Sequence, residues 1–298
     1  MKKIVRVGTR RSRLALIQTE IIISALSRAH SELSFETVEI NASGDLTADA
    51  SVDYLTAKGQ FSDSLEAALA SGEIDIAVHS LKDLPFDSPF PIYAYGKRAD
   101  PRDALILPAI ENKFGGNIMA DTPSPIGFSG ARRNAQIAVL FPSAAVKPVR
   151  GNVITRLEKL DASEYGALVL AAAGLIRLGL ERRICRYFSV DEVVPAAGQG
   201  ILAVQGHPAG DYAYLTAVDD ADSRRAALLE RDLMTRFGGG CASPHAAYAE
   251  FAGGNATVSL MYSEGSQVAK GKVSASADKI LHEAERLADE LKERVCLK

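Results

Sequence analysis

The sequence predicts an α/β protein: two α/β blocks with a cleft between them, then a small C-terminal α+β domain. Three observations carry this. Short apolar strands alternate with helix-period segments as far as Arg177. That alternation restarts once, near Ala104. Beyond Asp219 the order becomes one helix, three strands and a last helix.

Lys3–Gly8 alternates apolar and polar residues, as a strand does. Ser12 reads as the N-cap of a helix carrying Leu14, Ile17, Ile21, Ile22 and Leu26. Phe35–Asn41 is a second strand, Gly44–Gly59 a polar loop and Phe61–Ser71 a helix. Ile74–Val78 is continuously apolar, as in a sheet covered on both faces. In the second block Ala104–Leu107, Pro125–Phe128, Val146–Val149 and Ala167–Leu170 read as strands. Ala131–Leu140, Asn152–Leu160 and a segment from Ala172 read as helices. Such alternation predicts parallel sheets. Asp219–Phe237 reads as a helix, and Tyr248–Phe251, Thr257–Tyr262 and Val268–Val273 as strands between Gly-containing turns. In the last helix Ile280, Leu281, Ala284, Leu287, Ala288, Leu291 and Val295 form one apolar face.

The 298 residues hold 34 Lys and Arg against 37 Asp and Glu, a net charge of −3, with 47% hydrophobic residues. This composition buries a core, excludes disorder for most of the chain and excludes a polycation that binds nucleic acid by bulk charge. The most apolar stretch, Ala167–Ile176, falls short of the roughly 18–20 residues of a membrane span. Arg10, Arg11 and Arg13 interrupt the place of a signal-peptide apolar region. Cys185, Cys241 and Cys296 are odd in number and far apart, which fits a reducing cytoplasm and offers no paired-Cys metal spacing.

Three constellations carry chemistry. Arg10, Arg132, Arg133, Arg150, Arg156 and Arg177 stand at strand–helix junctions. Open α/β sheets bind ligands at the carboxyl ends of their strands, and arginine suits carboxylates and phosphates. The six describe either a polyanion cleft or ordinary solvated arginines. His79-Ser80-Leu81-Lys82-Asp83-Leu84-Pro85 follows the apolar strand Ile74–Val78. Lys82 and Asp83 there are either an acid–base pair or a surface turn. Cys241 follows three glycines, as a nucleophile or attachment point on a loop or as an inert thiol. His245, four positions on, raises a metal pair, against which Pro244 argues.

Taken together these residues resemble the porphobilinogen deaminase (hydroxymethylbilane synthase) family. The likeness spans nearly the whole chain in order. It runs through Gly8-Thr9-Arg10-Arg11-Ser12, Asp75-Ile76-Ala77-Val78-His79-Ser80-Leu81-Lys82-Asp83-Leu84-Pro85 and Asp100-Pro101-Arg102-Asp103-Ala104. It continues through Arg150-Gly151-Asn152-Val153, Thr155-Arg156-Leu157, Ala173-Gly174-Leu175, Gly198-Gln199-Gly200 and Gly239-Gly240-Cys241.

The resemblance implies two periplasmic-binding-protein-like (type II) α/β domains plus the small third one. Residues 1–98 with 199–216 would form the first, 99–198 the second and 217–298 the third. It implies a transferase of tetrapyrrole (heme) biosynthesis that joins four porphobilinogen molecules head to tail, with loss of ammonia, and releases hydroxymethylbilane. It implies a dipyrromethane cofactor bound by a thioether to Cys241. Asp83 matches the catalytic aspartate, with Lys82 in support. Arg10, Ser12, Ser129, Arg132, Arg133, Arg150, Arg156 and Arg177 match positions that bind cofactor and substrate carboxylates. The implied protein is a cytoplasmic monomer with porphobilinogen as its small-molecule substrate and with no metal, nucleic-acid or membrane partner.

Four positions depart from the family's usual residues: Gln60, Phe128, Gly130 and His207. They leave the cysteine, aspartate and arginines in place and predict an active but divergent enzyme. The competing expectations are a divergent paralogue, a non-catalytic small-anion binding protein using the same cleft, and a regulatory effector domain.

Overall fold

In the computed structural model, residues 2–41, 64–109, 124–240 and 243–296 are described. The predicted loop Gly44–Gly59, Gln60 and Cys241 lie outside them.

β1 (Lys3–Arg10) runs into α1 (Arg13–Ala29), and Ser12 Oγ accepts the Ala15 N–H at 3.3 Å as predicted for the N-cap. Next come β2 (Leu33–Ile40), a helix α2 over residues 64–70, β3 (Ile76–Ser80) and β4 (Ile92–Tyr95). The second series is β5 (Asp103–Ile106), β6 (Ile126–Phe128), α3 (Ala131–Leu140), β7 (Val146–Pro148), α4 (Val153–Asp161), β8 (Ala167–Ala171), α5 (Ala172–Arg177) and β9 (Ile184–Tyr187). The chain then gives β10 (Leu202–Gly206), α6 (Ala221–Arg236), β11 (Ala246–Ala252), β12 (Asn255–Glu264), β13 (Gln267–Ser276) and α7 (Ile280–Cys296).

Two compact units result. Residues 1–99 with 201–227 form one, and residues 100–200 with 228–298 the other. The sheet of the first unit has the order β2-β1-β3-β10-β4, and the main sheet of the second has the order β7-β6-β8-β5-β9. The expectation of parallel sheets needs correction. In each sheet one strand is antiparallel to both neighbours: β10 between β3 and β4, and β5 between β8 and β9. Each is the first strand after the chain enters that unit from the other. The shared order, with its inserted strand, is the type II periplasmic-binding-protein-like arrangement. Every residue of β5 and β10 is buried, so neither strand shows an alternating pattern. β5 was still legible as a continuous apolar run, whereas in β10 Gln205 and Gly206 cut that run to three residues and hid the strand; the short β4 and β9 were missed as well.

Val5, Val7, Ile22, Leu26, Ile76, Val78, Leu202 and Val204 pack one face of the first sheet against α1. In the second unit Ile106, Leu160, Leu168, Leu170 and Leu175 form one core, and Leu105, Ile126, Ile137, Val169 and Phe188 another. The three-stranded sheet β11-β12-β13 packs on α7 through Ile280, Ala284, Ala288, Leu291 and Val295. Leu281, assigned to that apolar face, instead stands 45% exposed.

Candidate active site

In the first unit, β1 and β3 run parallel with Gly8 opposite Ala77, so their carboxyl ends, Arg10 and His79-Ser80, lie side by side. β3 leads into a single 3-10 turn, Leu81–Asp83. The sequence Leu-Lys-Asp-Leu fixes that turn. Leu81 and Leu84 are buried with Tyr95, Ile201, Ala203 and Ala227, and the Leu81 N–H donates to the Ile201 carbonyl at 3.0 Å. The residues between them face outward, with Lys82 half-buried and Asp83 exposed. Gln18, buried on α1, donates from Nε2 to Ser80 Oγ at 2.9 Å and ties the helix to the end of β3. Ser12 is half-buried and its Oγ serves the α1 cap. His79 is held neutral, its pKa pushed down to about 4. Burial is the main cause, opposed by the Asp83 carboxylate and reinforced by the Arg10 guanidinium. Arg10, Lys82 and Asp83 therefore share the carboxyl end of one sheet, where the sequence placed them.

In the second unit the arginines divide. Arg132 and Arg133 sit in the first turn of α3, each 7% exposed. Both reach Asp103, which is fully buried at the start of β5. Arg132 Nη2 lies 2.6 Å from Oδ2 and Arg133 Nη2 2.7 Å from Oδ1. Arg132 Nη1 also donates to the Val194 carbonyl at 2.6 Å, and Gln199 Nε2 to Asp103 Oδ1 at 3.2 Å. Ser129 is half-buried, and its carbonyl accepts from Arg133 Nη1 at 3.4 Å. Sequence reasoning missed Asp103 and Gln199. The signal was available: cations at a helix N-terminus oppose its dipole and call for an acid.

Arg150, Arg156 and Arg177 are arranged differently. Arg150 is exposed, and Arg156 is half-buried with Nε donating to the Gly151 carbonyl at 2.7 Å. The Arg150-Gly151-Asn152 turn is fixed by a left-handed Gly151, φ 111°, and by Asn152 Oδ1, which accepts the Thr155 N–H at 3.0 Å to cap α4. Arg177 ends α5 half-buried, with Nη2 on the Gly200 carbonyl at 2.6 Å. Burial pushes its pKa down to about 10, and among the described residues no acid pairs with it. It is still cationic at neutral pH, but desolvated. An anionic ligand would relieve that strain. Arg150 is thus solvent-facing, while Arg156 and Arg177 each hold a backbone carbonyl.

The segment that leads to Cys241 is fixed at both ends. Gly238, φ 70°, closes α6 with its N–H on the Thr235 carbonyl at 2.8 Å. After the cysteine, His245 stacks on Tyr262, with ring centroids 4.5 Å apart and an interplanar angle of 5°, while its Nδ1 accepts the Ser263 N–H at 3.3 Å. His245 thus has an aromatic and backbone role. Two of the departures also find a reason. Gly130 has φ 94° at the start of α3, a conformation that a serine there would strain to adopt, and Phe128 is buried in β6.

Comparison with known proteins agrees with this geometry. Residues 5–212 match the family model described as porphobilinogen deaminase, dipyromethane cofactor binding domain. A porphobilinogen deaminase of Acetivibrio thermocellus is 46% identical over 246 residues, covering 82% of this chain and 82% of its own. One of Ruminiclostridium josui is 45% identical over 264 residues, covering 88% and 87%. One of Chromobacterium violaceum is 40% identical over 284 residues, covering 93% and 90%. The chain belongs to the porphobilinogen deaminase family, and its residues 5–212 are the family's dipyromethane cofactor binding domain.

Proposed function

We propose that this chain is a transferase that condenses porphobilinogen stepwise on a covalent dipyrromethane primer and releases hydroxymethylbilane, with Asp83 as its acid–base residue and Cys241 as the attachment point. Each porphobilinogen unit carries an acetate and a propionate, so the growing chain accumulates carboxylates. When bound, the dipyrromethane supplies a free pyrrole α-carbon on which the new unit is placed. In each round the substrate's aminomethyl C–N bond breaks and ammonia leaves with the electron pair. A C–C bond then forms at the exposed methylene carbon, and the displaced ring proton goes to a base. Asp83 takes that proton, and its carboxylate steadies the positive charge left when ammonia departs. Lys82 and Arg10 beside it, together with Ser12, hold substrate acids. In the second unit Arg150, Arg156 and Arg177 take the carboxylates directly. Arg132 and Arg133, held by Asp103, add positive charge for the same carboxylates, and Ser129 offers a hydroxyl.

The observation that carries the reading is Arg177, a half-buried guanidinium with its pKa pushed down and no acid beside it among the described residues. A chain that only needed a structural arginine there would have given it a carboxylate, as it gave Asp103 to Arg132 and Arg133. We assign residues 1–98 with 199–216, 99–198 and 217–298 as three functional domains, the last carrying Cys241. We further assign a cytoplasmic monomer. Among the described residues no helix is long and apolar enough to cross a membrane.

The test is intact mass of the purified protein beside Cys241→Ser. The expected wild type is heavier than its sequence by two deaminated porphobilinogen units, and the variant is not. A wild type that stays bare after incubation with porphobilinogen overturns the proposal in favour of a small-anion binding protein.

A further inference from the structure

His79 stands four residues before Asp83 and has no part in the assignments above. On one side it pairs with Ala203 of β10. On the other, two residues beyond the Gly8–Ala77 pair, it stands level with Arg10. Its Nε2 is sealed from solvent and, among the described residues, makes no hydrogen bond. A buried polar nitrogen without a partner loses its hydration and gains nothing in return. A leucine at the same place would carry no such penalty, and the neighbouring Ile76, Ala77 and Val78 are apolar. The charged groups whose fields reach the ring are Asp83, on the turn, and Arg10, on β1. Because burial keeps the imidazole neutral at pH 7, it retains one N–H and does not compete with a carboxylate for a proton.

We propose that His79 is a positioning residue for the condensation: with substrate bound, its Nε2–H donates to the Asp83 carboxylate, orients it and lowers its affinity for a proton. This rests on Asp83 being the base. The unpartnered nitrogen is then a donor held in reserve for the loaded site, where apo hydrogen bonds are often longer than those of the working complex.

The experiment measures kcat and KM from about pH 5 to 9 for the wild type, His79→Leu and His79→Gln. It adds ¹⁵N-histidine NMR of the wild type and Asp83→Asn, each with and without porphobilinogen. A hydrogen bond to a charged group predicts a fall in kcat of about tenfold or more in His79→Leu, with KM changed less than about twofold. The acid limb of the kcat profile moves upward by about one pH unit, because the carboxylate has lost a donor. Glutamine, whose side-chain amide also donates, recovers most of the rate. The wild-type Nε2 resonance shifts on adding porphobilinogen, and in Asp83→Asn it does not. If the leucine variant fails to fold, the glutamine and NMR arms carry the test. An unmoved acid limb with wild-type kcat in His79→Leu overturns the proposal, as does an Nε2 resonance indifferent to substrate. Wild-type turnover in Asp83→Asn would instead defeat the assignment of the base, which the rate of that variant reads on its own.

Discussion

Acidification acts on the fold through His79 before it reaches most carboxylates. A free imidazole titrates near pH 6.5. In the folded chain His79 titrates at about 4, chiefly because burial disfavours the imidazolium, with Asp83 opposing that effect and Arg10 adding to it. Between these values the unfolded chain binds a proton that the folded chain refuses. Stability therefore rises with pH through this window: the contribution is complete above about 6.5 and is lost progressively as pH falls toward 4. The distance from 6.5 to about 4, at 1.36 kcal/mol per pH unit, is about 3 kcal/mol, good to about one such unit. The assay is urea unfolding of the wild type and His79→Leu at a series of pH values across the window. The wild type should lose about 3 kcal/mol more than the variant between the two ends, and the curves should diverge with a slope of one proton. Parallel curves would mean that His79 is protonated or solvated in the folded state, and would refute the reasoning.

Other variants probe separate parts of the structure. Asp103→Asn leaves the buried Arg132 and Arg133 without their carboxylate and should cost about 3–5 kcal/mol, whereas Arg133→Gln leaves a balanced pair and should cost less; denaturant titration ranks the two, and the opposite order would contradict the argument. Asp83→Asn should keep the mass of the cofactor-bearing protein yet lose most turnover, read by intact mass and product formation on one preparation. Gly151→Ala places a Cβ 2.8 Å from Thr155 at φ 111°, so a loss of roughly 1–3 kcal/mol should appear as a lower melting temperature.

How far the sequence could be read depended on the range of the forces involved. Local rules found Ser12 as a cap, the buried strand before His79 and the α7 stripe, because each depends on neighbours within a turn or two. They missed β10, where Gln205 and Gly206 cut the apolar run to three residues, too short to read as a strand. Leu281 was placed on the apolar face because an i, i+1 pair of apolar residues cannot show which one the sheet will cover. The Leu81–Asp83 turn was legible because Leu81 and Leu84 bracket two polar residues, so packing alone turns Lys82 and Asp83 outward.

The arginines show where such reading stops. Position at a strand–helix junction is a property of the sequence, but what neutralises a guanidinium is a property of the fold. Arg132 and Arg133 share the Asp103 carboxylate. Buried guanidinium charge is costly unless it is paired or serves an anion. The pairing with Asp103 is compatible with the place proposed for these two arginines in the site. It fixes their side chains, which a ligand would otherwise have to order at its own entropic cost. Arg177 carries the same cost in desolvation, with no acid paired to it among the described residues. Asp103→Asn separates the two effects. If the acid only stabilises the fold, substrate affinity should survive at temperatures where the variant is folded; if it also holds the arginines in place, KM should rise there as well.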